Sequence, residues 1–337
     1  VRRNLPALLG TALLLLAAPA AWCRTQEGLL LTGGMDVSFE YLRDKGENDE
    51  YFSYPLHGTL GLEYESGAVS GLISVDVDGG ADEPVAGPGE SYLKAGEGAS
   101  YITMGYTTAR WGVSPGYSVV DILNPPDDRF PPTIFNVNRR RPSPLFVMSF
   151  GGGLTASEIA FSHRDEDIDS VNDETFGVRV STLGSENTLG IGMIRQVGSP
   201  PPLFFLTFER TGESGNVWLE LGWWSLPERE DELDGVIGFS QEFASASYEL
   251  EFIVQNGKHF LRLYTRFLPA EYGLNLETFF FLPTFSSALD TYLSIPVDEK
   301  TEFDFGGRFF LGREGSHFSR LREDNDNALY FRLKTRF

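Results

Sequence analysis

Apolar and polar residues alternate one for one along most of the chain. In the last ten residues, ALYFRLKTRF, one set of alternate positions holds Leu329, Phe331, Leu333, Thr335 and Phe337, and the other holds Tyr330, Arg332, Lys334 and Arg336. Successive side chains of a strand point to opposite faces, so this stretch has one apolar and one strongly basic face. The same pattern opens the series, where Leu29, Leu31, Met35, Val37, Phe39 and Tyr41 oppose Thr32, Asp36, Ser38 and Glu40. It recurs at 52–65, where Phe52, Tyr54, Leu56, Leu60, Leu62 and Tyr64 oppose His57, Thr59 and Glu63. Near the end, at 259–267, Leu261, Leu263 and Phe267 oppose Arg262, Tyr264 and Arg266. Short Gly and Ser signals such as Ser66-Gly67, Gly151-Gly152-Gly153 and Gly198-Ser199 divide the runs as hairpin turns.

The runs predict an all-β chain of about 16 antiparallel strands (range 14–18), closed as a transmembrane barrel by pairing of the first and last strands. A soluble sandwich predicts the same alternation. Three features weigh against it: a leader-like amino end, an aromatic carboxy end, and a long strand series without a break. The closing stretch resembles the last strand of Gram-negative outer-membrane β-barrels, in which a terminal Phe and alternating apolar residues are read by the barrel-assembly machinery. Leu329, Phe331, Leu333 and Phe337 occupy those positions, and the resemblance implies that they serve as the insertion signal.

The amino end reads VRRNLPALLGTALLLLAAPAAWC. A basic start, a short apolar run and small residues after it predict a cleaved signal peptide over 1–23, with one barrel domain over 24–337. Cleavage fits after Ala20 or Ala21, or nearer Cys23; lipidation of Cys23 wants a small residue before it, where Trp22 stands. No later run of about 18 apolar residues offers a transmembrane helix. Lumen residues interleave with lipid-facing ones in a barrel, so helix-style hydropathy does not detect it.

Composition sharpens this picture. The 27 Phe, 13 Tyr and 5 Trp suit aromatic girdles, and a net charge of −21 argues against nucleic-acid binding. Acidic runs at 44–50, 78–83, 164–174, 228–234 and 322–327 read as solvated loops. A single cysteine leaves no disulfide, and four widely spaced histidines (His57, His163, His259, His317) give no metal-ligand spacing. No Gly-x-Ser-x-Gly and no defensible Ser/His pair is present, so neither an enzyme nor a cofactor is expected.

One stretch breaks the alternation. The segment 111–143 is rich in proline, including Pro115, Pro125, Pro126, Pro131, Pro132 and Pro142. Proline cannot donate to a strand ladder, and irregular backbone at bilayer depth survives only inside protein or a water-filled lumen. The loop therefore either narrows the lumen or rises outside as a lid. Asp121 and Asn124, with Pro125, suit capping and stapling of its turns. Basic residues Arg110, Arg129, Arg139, Arg140 and Arg141, with wall positions Arg262, Arg266 and Arg332, are candidates for an anion-favouring constriction, alongside Asp121, Asp127 and Asp128. Pairing of these cations with acidic neighbours, or contact with anionic lipopolysaccharide at the rim, explains them equally well.

Arg110-Trp111-Gly112 followed by Asp121-Ile122-Leu123-Asn124-Pro125-Pro126-Asp127 resembles a largely uncharacterised porin-like family of outer-membrane proteins with a Trp-Gly strand end and an Asp-x-Leu-Asn-Pro-x-Asp loop. Gly312 to Phe318 resembles the same family's last long loop, with His317 where that family carries an acid. The resemblance implies a pore-like barrel in the outer membrane, with Trp111, Gly112, Asn124 and Pro125 structuring the loop. The expected function is passive passage of small hydrophilic solutes, anionic ones among them. The expected partners are outer-membrane lipid and lipopolysaccharide-type amphiphiles, with a monomer and a trimer both open. Two other readings stay open: a non-conducting structural or adhesive barrel with acidic loops, and a transporter of hydrophobic substrates.

Overall fold

The computed structural model describes residues 29–43, 50–53, 56–79, 85–124, 140–163, 174–182, 184–197, 202–224, 232–268, 272–313, 316 and 327–336. Residues 1–23, expected to be a leader, and Pro125, Asp127, Asp128, Arg129, Arg139, His317 and Phe337 lie outside the described residues, as do most of the long acidic runs.

The described residues form twenty strands. The first ten are β1 (Leu29–Arg43), β2 (Glu50–Ser53), β3 (Leu56–Ser66), β4 (Val69–Gly79), β5 (Val85–Pro88), β6 (Ser91–Glu97), β7 (Ser100–Thr107), β8 (Ser143–Gly152), β9 (Thr155–His163) and β10 (Glu174–Thr182). The second ten are β11 (Asn187–Gln196), β12 (Leu203–Thr211), β13 (Asn216–Trp224), β14 (Glu232–Phe243), β15 (Ala246–Gln255), β16 (Lys258–Phe267), β17 (Gly273–Phe281), β18 (Ser286–Pro296), β19 (Thr301–Leu311) and β20 (Ala328–Arg336).

All pairings are antiparallel, and β20 returns to β1 in the register Gly34↔Arg336 through Leu42↔Ala328. That pairing closes the sheet, as the matching alternation of the two ends predicts. Two of the twenty strands are continuations: β2 and β3 lie one after the other along β1, and β5 and β6 along β4. Twenty less these two leaves eighteen positions in the wall, the upper end of the range of 14–18 expected from sequence.

The two ends differ. At one end every connection, such as Gly67-Ala68 and 297–300, has two to five residues. At the other lie the long connections, including the 35-residue stretch between Thr107 and Ser143. Left-handed Gly67 (φ 56°) and Gly153 (φ 64°) supply the tight turns predicted at Ser66-Gly67 and Gly151–Gly153.

Burial alternates with strand period. On β13, Trp218, Glu220 and Gly222 are buried while Val217 and Trp223 are exposed. The exposed phase carries Leu60, Leu62, Ile73, Val75, Ile102, Ile191, Phe204, Ile237, Phe305, Leu329 and Phe331, a large apolar surface on the outside of the barrel. Monomeric water-soluble proteins rarely expose so much contiguous apolar area. The buried phase faces the lumen.

Candidate functional site: a segment folded into the lumen

After Thr107 the chain leaves β7 and runs as irregular backbone from 108 to 124, packed on the inner wall of β8–β17. Trp111, Tyr117, Val119, Val120 and Leu123 share one buried apolar cluster with the inward side chains Leu145, Val147, Ile194, Phe205, Trp218, Val236, Ile253 and Phe279. Thus part of the lumen wall is apolar, and the segment covers it. Many other inward positions are polar or charged, and most of the large apolar ones share a cluster with the segment.

The segment has few backbone partners of its own, and buried N–H groups must be satisfied. Three carboxylates do this. Asp121 Oδ1 accepts the N–H groups of Trp111 and Gly112, both at 2.6 Å, while its Oδ2 pairs with Arg110 at 3.3 Å. Glu220 on β13, fully buried, accepts Val113 N–H (2.6 Å) and Ser114 N–H (2.7 Å) on Oε1, and Ser118 O–H (2.8 Å) and Val119 N–H (2.9 Å) on Oε2. Glu251 on β15 accepts the Ser114 hydroxyl, Gly116 N–H at 3.2 Å and the Trp218 indole N–H at 3.1 Å. Each carboxylate thus stands where the segment lacks its own acceptors.

Both ends of the segment are tied to strands. Asn124 accepts Ala109 N–H at 2.8 Å and donates to Thr107 O (2.9 Å) and Ser143 Oγ (2.7 Å), pinning the exit from β7 to the entry of β8. Arg179 on β10 donates to Trp111 O at 3.2 Å and pairs with Glu158 on β9 at 3.0 Å. Tyr117 is buried in the segment, and burial pushes its hydroxyl pKa up, so it stays neutral.

The wall under and beyond the segment carries paired charges. Arg262 on β16 meets Glu277 (2.6 Å), Glu249 (2.9 Å) and Glu251 (3.2 Å). Arg308 on β19 lies 3.8 Å from Asp290, which also accepts the Tyr330 hydroxyl at 2.7 Å. Arg332 and Lys334 on β20 converge on Asp304 at 3.9 and 2.6 Å. Arg332 and Lys334 also lie over the Tyr330 and Tyr292 rings.

Of the residues singled out from sequence, Arg110, Trp111, Gly112, Asp121 and Asn124 come together in the segment. Arg262 joins them through Glu251. Arg332 sits on β20 away from them, and Arg266 lies on the inward phase of β16 at its exposed end. Arg140 and Arg141 stand just before β8, and both have interaction partners. Leu329 and Phe331 are on the outer face. Sequence reading missed Glu220 and Glu251. A signal existed: Glu220 is the one charge in the run VWLELGWW, on the inward phase.

No protein-family model and no curated protein matches the chain in sequence. Solved structures do resemble it. A triple mutant of the Rhodopseudomonas blastica porin aligns over 92% of this chain and 100% of its own, with a TM-score of 0.56 at 10% identity. The fold is porin-like. A second structure, described by the words asymmetric conductivity of engineered proteins, aligns over the same shares with a TM-score of 0.57 at 9% identity. At such identities the likeness is one of architecture, and neither the Trp-Gly nor the Asp-x-Leu-Asn-Pro-x-Asp motif is carried by a family match.

Proposed function

We propose that the chain is an outer-membrane porin, which lets small hydrophilic solutes cross passively through a lumen narrowed by the segment 108–124. The observation that carries this reading is the division of faces in a closed barrel of eighteen positions: large apolar side chains outside, paired charges and hydroxyls inside. Only closed barrels and helices satisfy every backbone group in lipid, and the outer apolar face supplies the lipid contact. The protein reaches that membrane after loss of residues 1–23, meets outer-membrane lipid and lipopolysaccharide there, and carries out no chemistry.

The buried cluster beneath the segment favours one rival, a plugged barrel that presents its acidic loops to partners. A single measurement separates them. Residues 24–337 are refolded in detergent and added to a planar bilayer, alongside Arg139/Arg140/Arg141→Ala. Stable conductance steps support the porin, and loss of anion preference in the variant assigns selectivity to that arginine run. A folded barrel that never conducts overturns the porin reading in favour of the plugged one.

A further inference from the structure

Arg262 is the most enclosed cation of the lumen wall among the described residues, only 6% exposed. Its Nε donates to Glu277 Oε1 at 2.6 Å, and its Nη1 to Glu249 Oε2 at 2.9 Å and Glu251 Oε2 at 3.2 Å. The guanidinium also lies over the Tyr264 and Phe279 rings, at 5.6 and 6.0 Å from their centroids. The lumen side of this nest is closed by the segment itself. A Cβ built at Gly116 would collide with both the guanidinium and the Glu251 carboxylate, so only glycine lets the backbone lie this close.

Glu251 is the shared member of two sets. One oxygen faces Arg262, and the other takes the Ser114 hydroxyl, Gly116 N–H and Trp218 indole N–H. A fully buried carboxylate without a counter-charge is costly, and Arg262 supplies that charge at a fixed position. We propose that Arg262 is a positioning residue: through Glu251 it locks the segment 108–124 against the wall, and it does not read the charge of permeants. The consequence for channel behaviour rests on the porin reading; the lock itself does not.

The test uses opposite charge changes on the two sides of one contact. Arg262→Gln makes the lumen more negative, and Glu251→Gln makes it less negative. A lock requires both to give the same result, because each cuts the tie between wall and segment. The readouts are single-channel noise and reversal potential, together with maleimide labelling at Val120→Cys in residues 24–337, which hold no other cysteine. Val120 belongs to the segment and is fully buried against the wall, so labelling reports release of the segment.

Both variants are expected to flicker between conductance levels and to label faster by about tenfold or more, as local opening exposes the site. Arg262→Lys, which keeps the charge but loses the planar fork that spans three carboxylates, is expected to restore the lock only in part, and it replaces Arg262→Gln if that variant does not fold. Quiet channels whose ion preference moves in opposite directions, with labelling as slow as in the parent, would overturn the proposal and return Arg262 to the permeation path. A parent chain that is silent in the bilayer removes the porin reading alone, while the labelling rates still decide the lock.

Discussion

Trp111 of the inward segment packs against Gly177 of β10, so closely that a Cβ at Gly177 would fall 2.7 Å from two atoms of the indole and 3.2 Å from Leu123 Cδ2. The absent side chain is the seat of the indole. Gly177→Ala is therefore expected to push Trp111 off the wall and to lower stability by about 1–3 kcal/mol, the usual cost of overpacking. A lower denaturant midpoint, with a shift of tryptophan emission, is the check; an unchanged midpoint would show that the segment repacks freely.

Glu220 offers two acceptor oxygens to four donors of the segment. In Glu220→Gln one oxygen becomes an NH2 group that faces two donors. The loss is expected to be about 1–3 kcal/mol, the cost of leaving buried donors unpaired. Glu213→Gln, in an exposed turn, should stay within about 0.5 kcal/mol and serves as the reference for charge alone. Equal midpoints for the two variants would contradict the role given to Glu220.

Ile73 lies on the outer face near the middle of β4 and is 70% exposed. In water, Ile73→Arg would matter little. In a bilayer, an arginine facing lipid at mid-depth costs about 2–4 kcal/mol. Folding of the variant into phospholipid vesicles should fall in yield and stability, with folding in detergent much less affected. Equal behaviour in both media would argue that this face does not meet hydrocarbon.

Asp298 sits in the short connection 297–300, where Lys300 N–H donates to its Oδ1 at 2.7 Å. That hydrogen bond favours the charged carboxylate and lowers its pKa below the ordinary 3.8. Because the folded value is the depressed one, the interaction stabilises the turn above the unfolded pKa and is lost as pH falls through the folded one. Asp298→Asn should flatten that acid-side loss; a titration of unfolding midpoint between about pH 6 and pH 2 would show it. The same slope in both proteins would remove Asp298 from the acid response.

Much of the wall was legible in the residues. Alternation at Leu29–Tyr41 and Leu329–Phe337 anticipated two-faced strands at both ends, and β1 and β20 do pair. The turns at Gly67 and Gly153 were legible too, because a tight turn is a local demand on backbone angles. The count of strands was less so. Residues 52–65 read as a single run but span parts of β2 and β3, and the four-residue β5 carries too few positions to show an alternation, so the twenty elements were not legible one by one. Prolines marked 111–143 as irregular, and the chain is irregular from 108, where β7 has ended.

The period of two is a property of neighbouring residues: each strand satisfies its backbone by pairing with its neighbours and turns alternate side chains to unlike surroundings. Composition and alternation therefore carry the barrel class in the letters. The acceptors of the inward segment are not neighbours of it. Val113 finds Glu220 across 107 residues and Gly116 finds Glu251 across 135, on strands whose inner faces come together only when the sheet closes. A lone acid in an apolar run looks from sequence like any lumen charge. Closure of the wall around the segment, and the need to satisfy every buried N–H there, make it a clasp.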